Sequence, residues 1–285
     1  MKRILFAAVG LALAGLPAAA ADLPTKAPIL KAPPDVWSWT GFYIGGNVGY
    51  SWGRSETDVT YFNPVTGLPI VPPAGSITSV DFNLNGGVGG GQIGYNYQTG
   101  NWVWGIEADI QWSGQDGDAL FTCAAAAPVP GACLPGLTFV PPGATGTTLS
   151  LEQKLEWFGT VRARLGWLWT PTALAYVTGG FAYGSVKTSG VLNSFNANGG
   201  AVTTAFSNRD RNGGWTVGGG IEARLVGNWT GKVEYLYMDL GTFDNTVAFA
   251  TAPAIGAHIS SRVTDNIIRA GLNYKFGPGP VVARY

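Results

Sequence analysis

Few side chains in this sequence could carry out acid–base or nucleophilic chemistry. The 285 residues contain one histidine, His258, and two cysteines, Cys123 and Cys133. Hydrolytic and acyl-transfer enzymes usually need a positioned base beside a nucleophile or a water molecule. A single histidine among apolar neighbours, in TAPAIGAHISSR, provides no such pair. The sequence therefore predicts that the protein is not an enzyme and that it holds no cofactor or metal ion.

The charged side chains alternate with apolar ones along short runs. In NWVWGIEADIQWSG, residues 101–114, one face carries tryptophan and isoleucine and the other carries Glu107 and Asp109. Such alternation is typical of a β-strand, because successive side chains point to opposite faces. In four such runs, all the charged residues lie on one face, opposite the apolar face. A fifth run adds two charged residues on the same side of its strand. The predicted network of enclosed charges is Glu107, Asp109, Glu156, Arg162, Arg164, Glu222, Arg224, Lys232, Glu234, Arg269 and Lys275.

Eight strand-like runs follow one another from residue 39 onward. They cover about 40–53, 87–98, 101–113, 155–168, 173–186, 214–225, 229–239 and 263–276. Every second connection is tight, and the others are long, at 54–86, 114–154, 187–213 and 240–262. Short turns on one rim and long loops on the other are typical of bacterial outer-membrane barrels. We predict an all-β fold, an eight-stranded antiparallel up-and-down transmembrane barrel over residues 39–276.

Three features indicate that the charged phase faces the interior of this barrel. It is rich in glycine, and the narrow interior of an eight-stranded barrel needs small residues beside long ones. Its charges nearly balance, as enclosed charges must to offset desolvation. Tryptophans gather near both rims, as in the aromatic girdles of membrane barrels. The predicted girdle residues are Trp39, Trp52, Trp102, Trp112, Trp157, Trp167, Trp169, Trp215 and Trp229.

The two ends of the chain suggest export. Residues 1–21 have the basic start, apolar stretch and small-residue cleavage site of a secretory signal peptide. Residues 22–38 are proline-rich and predict a periplasmic leader, and residues 277–285 predict a periplasmic tail.

In an exported chain, Cys123 and Cys133 predict a disulfide. Without the signal peptide, 15 basic and 17 acidic residues remain, which predicts no nucleic-acid partner.

The last strand carries a pattern of its own. RAGLNYKF, residues 269–276, resembles the recognition signal of the outer-membrane barrel assembly machinery, with Arg269, Gly271, Tyr274 and Phe276 in the signal positions. Nine residues follow Phe276, whereas such signals usually end the chain. The resemblance implies the assembly machinery as a partner and insertion among outer-membrane lipids and lipopolysaccharide, and the signal peptide implies Sec-type export.

Taken together, the chain resembles the small outer-membrane β-barrel family of alphaproteobacterial, porin-like surface antigens. The resemblance is carried by WTGFYIGGNVGYSWG, the hairpin at 89–114, WFGTVRARLGW and NIIRAGLNYKF. It implies a structural, surface-exposed protein in the outer membrane of a Gram-negative bacterium.

Two alternatives remain open from the same resemblance. The first is a porin-like channel for small solutes, although eight strands leave a filled interior rather than a wide pore. The second is haemin binding, for which His258 and Tyr61 are the weak candidates as iron ligands.

Overall fold

The computed structural model describes residues 37–72, 77–123, 147–195, 200–248 and 256–277. The predicted signal peptide, most of the leader and all but the first residue of the tail lie outside these ranges. Cys133 also lies outside them, and the side chain of Cys123 is not described, so the disulfide stays a prediction. None of the described residues forms a helix long and apolar enough to cross a membrane.

Eight long strands form one closed antiparallel ring, which confirms the predicted fold class. Consecutive long strands pair with each other, and the last pairs with the first. A two-residue strand, β2, extends the sheet beside the far end of β1, where Tyr61 pairs with Ile70. The strands are β1 (Gly41–Phe62), β2 (Pro69–Ile70), β3 (Ser79–Thr99), β4 (Trp102–Cys123), β5 (Thr147–Thr170), β6 (Ala173–Phe195), β7 (Ala201–Val226), β8 (Trp229–Ala248) and β9 (Gly256–Phe276).

The register of the strands fixes the width of the barrel. Following paired residues once around the ring from Ile44 leads back to β1 at Arg54, ten residues further along. With strands about 4.8 Å apart and a rise of about 3.3 Å per residue, this stagger gives a tilt of about 40° and a backbone radius of about 8 Å. Side chains alone can fill an interior of that size.

Tight turns close the rim at which the described part of the barrel begins and ends. The β3–β4 and β7–β8 turns each contain a glycine with positive φ, Gly100 at 58° and Gly227 at 55°. A side chain is strained in that left-handed conformation, so glycine is the residue that fits. The connection between β5 and β6 is Pro171–Thr172. We call this short-turn rim the lower rim.

The strands are much longer than the sequence predicted. Between Trp102 and Trp112 on β4, ten residues at this tilt rise about 25 Å, which is the height of the apolar band of a membrane barrel. The strand then continues to Cys123. The other long strands do the same, so most of the described residues in the predicted loops at 54–86, 114–154, 187–213 and 240–262 are strand. We call the part above the upper tryptophans the extension.

The chemistry of the two barrel faces inverts at the base of the extension. Below it, outward side chains are apolar, as at Ile106 and Ile110, and the interior is polar. Above it, outward residues such as Glu56 and Asp118 are exposed, while Leu84 and Val186 are buried inside. The extension is therefore built like a water-soluble barrel. An apolar core begins at the level of the upper tryptophans and continues into the extension; its members are Leu84, Val88, Leu155, Phe158, Ala182, Val186, Leu236, Met238, Leu240, Phe243, Val263 and Ile267.

Candidate functional site

Eight charged side chains meet in the middle of the lumen at the level of the membrane. Four are acidic and four basic, so the cluster is neutral, and all are buried. They come from β4, β5, β7, β8 and β9, each at an inward position of the alternation. We call them the central cluster: Glu107, Asp109, Arg162, Arg164, Glu222, Lys232, Glu234 and Arg269.

Arg162 joins three carboxylates at the centre of this cluster. Its Nη2 lies 2.6 Å from Glu107 Oε1 and 3.0 Å from Asp109 Oδ2, and its Nη1 lies 3.0 Å from Glu234 Oε1. Arg269 adds contacts of 2.9 Å to Asp109 and 2.7 Å to Glu234. Every carboxylate here faces at least one cation, which is the arrangement that offsets the cost of desolvating them.

Two further pairs complete the central cluster. Lys232 Nζ lies 2.9 Å from both carboxylate oxygens of Glu107. Arg164 Nη2 lies 2.6 Å from Glu222 Oε2, and the Arg164 guanidinium stacks 3.8 Å from the ring centroid of Tyr176. The cluster thus spans the lumen from wall to wall.

Uncharged polar residues that the sequence analysis missed anchor this cluster. The Tyr43 hydroxyl donates to Glu107 Oε2 at 2.7 Å, the Tyr176 hydroxyl donates to Glu234 Oε1 at 3.0 Å, and the Thr160 hydroxyl donates to Asp109 Oδ2 at 2.8 Å. All three occupy inward positions of their strands. Their alternation was visible in the sequence, but a hydroxyl carries no formal charge to mark a position as facing the lumen.

Close packing requires glycine on the inner wall, as predicted. A Cβ atom at Gly105 would lie 2.9 Å from Arg164 Cγ, and one at Gly220 would lie 2.8 Å from the Tyr176 hydroxyl. Both distances are shorter than carbon contacts in folded proteins allow. The glycines therefore make room for Arg164 of the central cluster and for Tyr176, on which it stacks.

Glu156 does not join the lumen network, contrary to the prediction. The pairing of β5 with β6 shifts between Leu155 and Trp157, which is a β-bulge. The extra residue reverses the alternation, so Leu155 is buried inside while Glu156 lies on the outer wall. There it pairs with Arg209 on β7 at 2.8 Å.

Arg224 and Lys275 lie below the central cluster, at the lower mouth of the barrel. They face the ring of Trp37 at 4.5 and 4.7 Å from its centroid. The Arg224 Nε donates to the carbonyl of Gly227, in the adjacent turn. These two predicted network members therefore contact an aromatic ring rather than the carboxylates of the cluster.

Trp39 fills the lower mouth and is not a girdle residue, which corrects the prediction. It precedes β1, and its side chain turns into the barrel, where it is 1% exposed. Its indole donates to the carbonyl of Pro171 at 3.3 Å, and its backbone N–H donates to Gln98 Oε1 at 2.8 Å. It packs with Val103, Leu168, Leu174 and Tyr176. Because Trp39 precedes the first strand, no alternation of inward and outward residues could show in the sequence where its side chain points.

The other eight predicted girdle tryptophans lie on the outer wall. Trp157 is half-buried and the remaining seven are exposed. At the lower rim Trp102 contacts Trp167 edge-on with ring centroids 4.8 Å apart, and at the upper level Trp215 contacts Tyr237 at 5.5 Å. Two levels of outward aromatic rings, about 25 Å apart, mark a membrane-spanning band.

Residues 6–276 match the family model described as outer membrane protein beta-barrel domain. The chain belongs to this family. It is similar to the 31 kDa outer-membrane immunogenic protein of Brucella melitensis, with 36% identity over 97% of this chain and 100% of that protein. It is also similar to the 22 kDa outer membrane protein of Rhizobium leguminosarum bv. viciae, with 28% identity over 84% of this chain and 79% of that protein.

Among solved structures, the chain is similar to the outer membrane protein OprG from Pseudomonas aeruginosa. The TM-score is 0.47 and the identity 12%, over 84% of this chain and 97% of that one. The named relatives are outer-membrane proteins. The protein is an outer-membrane β-barrel of a Gram-negative bacterium, as the sequence analysis predicted.

The two haemin candidates of this outer-membrane barrel lie on opposite sides of its wall. His258 is not in a loop but on β9, where it points outward and its Nδ1 lies 3.0 Å from Thr246 Oγ1. Tyr61 is buried inside the extension and donates to the carbonyl of Ile77 at 2.7 Å. Burial raises the pKa of the Tyr61 phenol to about 12, which disfavours the phenolate that would bind iron. The structure does not bring the two side chains together as ligands.

The predicted assembly signal forms the end of β9 near the lower rim. Tyr274 and Phe276 point outward, and their rings contact each other at 5.3 Å between centroids. Arg269 and Gly271 point inward, and Arg269 belongs to the central cluster. The residues of the signal thus point alternately to the outside and to the lumen, as residues of a membrane-spanning strand do.

Proposed function

We propose that this outer-membrane barrel is a structural, surface-displayed protein whose lumen is closed and does not conduct solutes. The observation that carries the proposal is the filling of the lumen at three successive heights. From the lower mouth upward these are the layer of Trp39, the central cluster and the apolar core of the extension.

Each layer blocks the lumen by a different physical means. The Trp39 layer is aromatic and aliphatic packing, which a hydrated ion could enter only by losing its water. In the central cluster, the cations that would attract an anion are already bound to carboxylates at 2.6–3.0 Å. The apolar core above them includes Phe158, Leu236 and Leu240, all completely buried. A solute would have to disrupt all three layers.

We also propose that the protein is not an enzyme. The carboxylates of the central cluster are held by cations, and a base that is already paired is a poor proton acceptor. His258 lies on the outer wall, and among the described residues its ring forms a hydrogen bond only with Thr246. The relatives named above carry names that refer to immunogenic or outer-membrane proteins rather than to enzymes.

The partners and the processing follow from the same proposal. The outward aromatic rings at two levels suit contact with outer-membrane lipids, including lipopolysaccharide on the outer side. The β9 signal suits recognition by the barrel assembly machinery. Residues 1–21 would be removed after Sec-type export, which leaves the leader at 22–38 and the tail at 277–285 in the periplasm.

Single-channel recording in planar bilayers tests the closed lumen. We expect the refolded full-length protein to give no steady openings, while a 16-stranded porin recorded in parallel conducts through its aqueous channel. Heat-modifiable gel mobility of the same sample establishes that the barrel is folded. Large, steady openings by folded protein would overturn the proposal in favour of the porin-like alternative.

A further inference from the structure

Basic side chains lie side by side on the outer wall of β5, β6 and β7. The register places Lys154 opposite Lys187, and Lys187 opposite Arg209. Arg211 is the next outward residue along β7 and lies opposite Ser185. Directly opposed residues on neighbouring strands have Cβ atoms about 5 Å apart, so like charges in such positions repel each other.

Acidic neighbours neutralise only part of this row. Lys154 pairs with Glu152 at 2.8 Å, and Arg209 pairs with Glu156 at 2.8 Å. Among the described residues, Lys187 and Arg211 have no ion-pair partner. Asp210 lies between Arg209 and Arg211 in sequence, but it occupies the opposite phase of the strand. We call Lys187, Arg209, Arg211 and Ser185 the cationic patch.

A hydroxyl group within the patch has no partner either. Ser185 is on the outward phase of β6, with Trp157 opposite on one side and Arg211 on the other. It is nevertheless completely buried, and its Oγ has no hydrogen-bond partner among the described residues. A buried hydroxyl without a partner is unfavourable, so a ligand oxygen that accepts from it, once the side chains that cover Ser185 move aside, would be stabilising.

The height of the patch relative to the membrane points to the kind of ligand. Tyr183 precedes Ser185 by two residues on β6, and its ring contacts that of Trp157 in the upper girdle. Lys187 and Arg211 therefore lie directly above the level at which the lipid-facing wall ends. This is the headgroup level of the outer leaflet, where basic side chains attract anionic lipid groups.

We propose that the cationic patch binds the phosphate group of a phosphorylated glycolipid in the outer leaflet. The Arg211 guanidinium suits bidentate contact with phosphate oxygens, Lys187 supplies a second charge, and Ser185 supplies a neutral donor. A phosphate between Lys187 and Arg211 would also relieve their repulsion. This inference rests on the proposed function, because it needs the barrel upright in the outer membrane with the extension outside.

Native mass spectrometry of the refolded protein in neutral detergent tests the patch. The probes are bisphosphorylated lipid A, its fully dephosphorylated form, and inorganic phosphate. We expect the wild-type protein to retain lipid A in preference to the dephosphorylated form and to retain no inorganic phosphate. Lys187→Gln and Arg211→Gln should each weaken lipid A binding about fivefold, the factor typical of one basic residue at a membrane surface.

Arg54→Gln is the matched control, because it also removes one exposed positive charge from the outer wall, on β1. It should bind lipid A as the wild type does. Equal weakening by all three variants, or equal retention of the dephosphorylated lipid, would overturn the proposal. Retention of inorganic phosphate alone would overturn the assignment to a lipid.

Conductance measured on the same preparation separates the two proposals. A closed barrel without preference for phosphorylated lipid contradicts only the patch, and a conducting barrel contradicts only the closed lumen.

Discussion

Removing Lys232 from the central cluster should strongly destabilise the barrel. The ammonium group is buried and lies 2.9 Å from both oxygens of Glu107. Lys232→Met keeps an apolar stem of similar volume but leaves four carboxylates facing three cations. Breaking a buried ion pair in this way costs about 3–5 kcal/mol. We expect the lower end of that range, because Arg162 still contacts Glu107 at 2.6 Å.

Restoring neutrality should recover much of this loss. Glu107→Gln alone leaves three carboxylates facing four cations, so its cost should again be about 3–5 kcal/mol. The double variant Lys232→Met/Glu107→Gln is neutral, and the glutamine can still accept from the Tyr43 hydroxyl. We therefore expect the double variant to lose about as much as one single variant, which is a coupling of about 3 kcal/mol.

The measurement is urea unfolding of the refolded protein in phospholipid vesicles, followed by tryptophan fluorescence. Heat-modifiable gel mobility at each urea concentration reports the folded fraction independently. Lys154→Met is the control, because Lys154 is exposed and its ion pair with Glu152 lies on the surface; it should not shift the unfolding midpoint. Additive losses in the double variant would refute the view that neutrality of the enclosed cluster determines its stability.

Three further predictions concern the other surfaces of the barrel. Ala108→Arg or Val161→Arg, at mid-height on the lipid-facing wall, should each cost about 2–4 kcal/mol and reduce assembly measured by gel mobility. Ser150→Arg, outward on the extension, should assemble normally, and equal behaviour of all three would contradict the membrane boundary. Trp39→Ala should cost about 3–5 kcal/mol in unfolding experiments, yet leave planar bilayers silent, since the central cluster and apolar core still block the lumen. A haemin titration should give no Soret shift that depends on His258, and a shift lost in His258→Ala would contradict the wall geometry.

The membrane-spanning half of the fold was predictable because lipid imposes a strict alternation there. Between Trp102 and Trp112 every outward residue is apolar or small, and the inward positions include Glu107 and Asp109. The eight strands, their order and eight members of the lumen network followed from that pattern. Tyr43 and Tyr176 were missed, since a tyrosine at an inward position looks the same in sequence as one facing lipid.

The extension was not predictable by the same reasoning. Its outward residues are polar, as at Arg54, Glu56 and Asp58. These segments therefore lack the apolar outward face from which the membrane strands were predicted. Bulges at the base of the extension also reverse the alternation in β5 and β8. Glu156 was misplaced for this reason. The prediction assumed strict alternation along β5, and the bulge shifts that alternation by one residue.

The inversion of the two faces separates the part of the chain that holds the barrel together from the part that meets the outside. In the extension, stability depends on inward residues such as Leu84 and Val263, which pack in the apolar core. Outward residues such as Asp118 and Lys187 face away from that core, so exchanging one polar side chain for another there should cost little. Recognition in this protein can therefore use the outer wall of the extension as well as the connections above it. The cationic patch is one instance, built on strands whose positions the core already fixes.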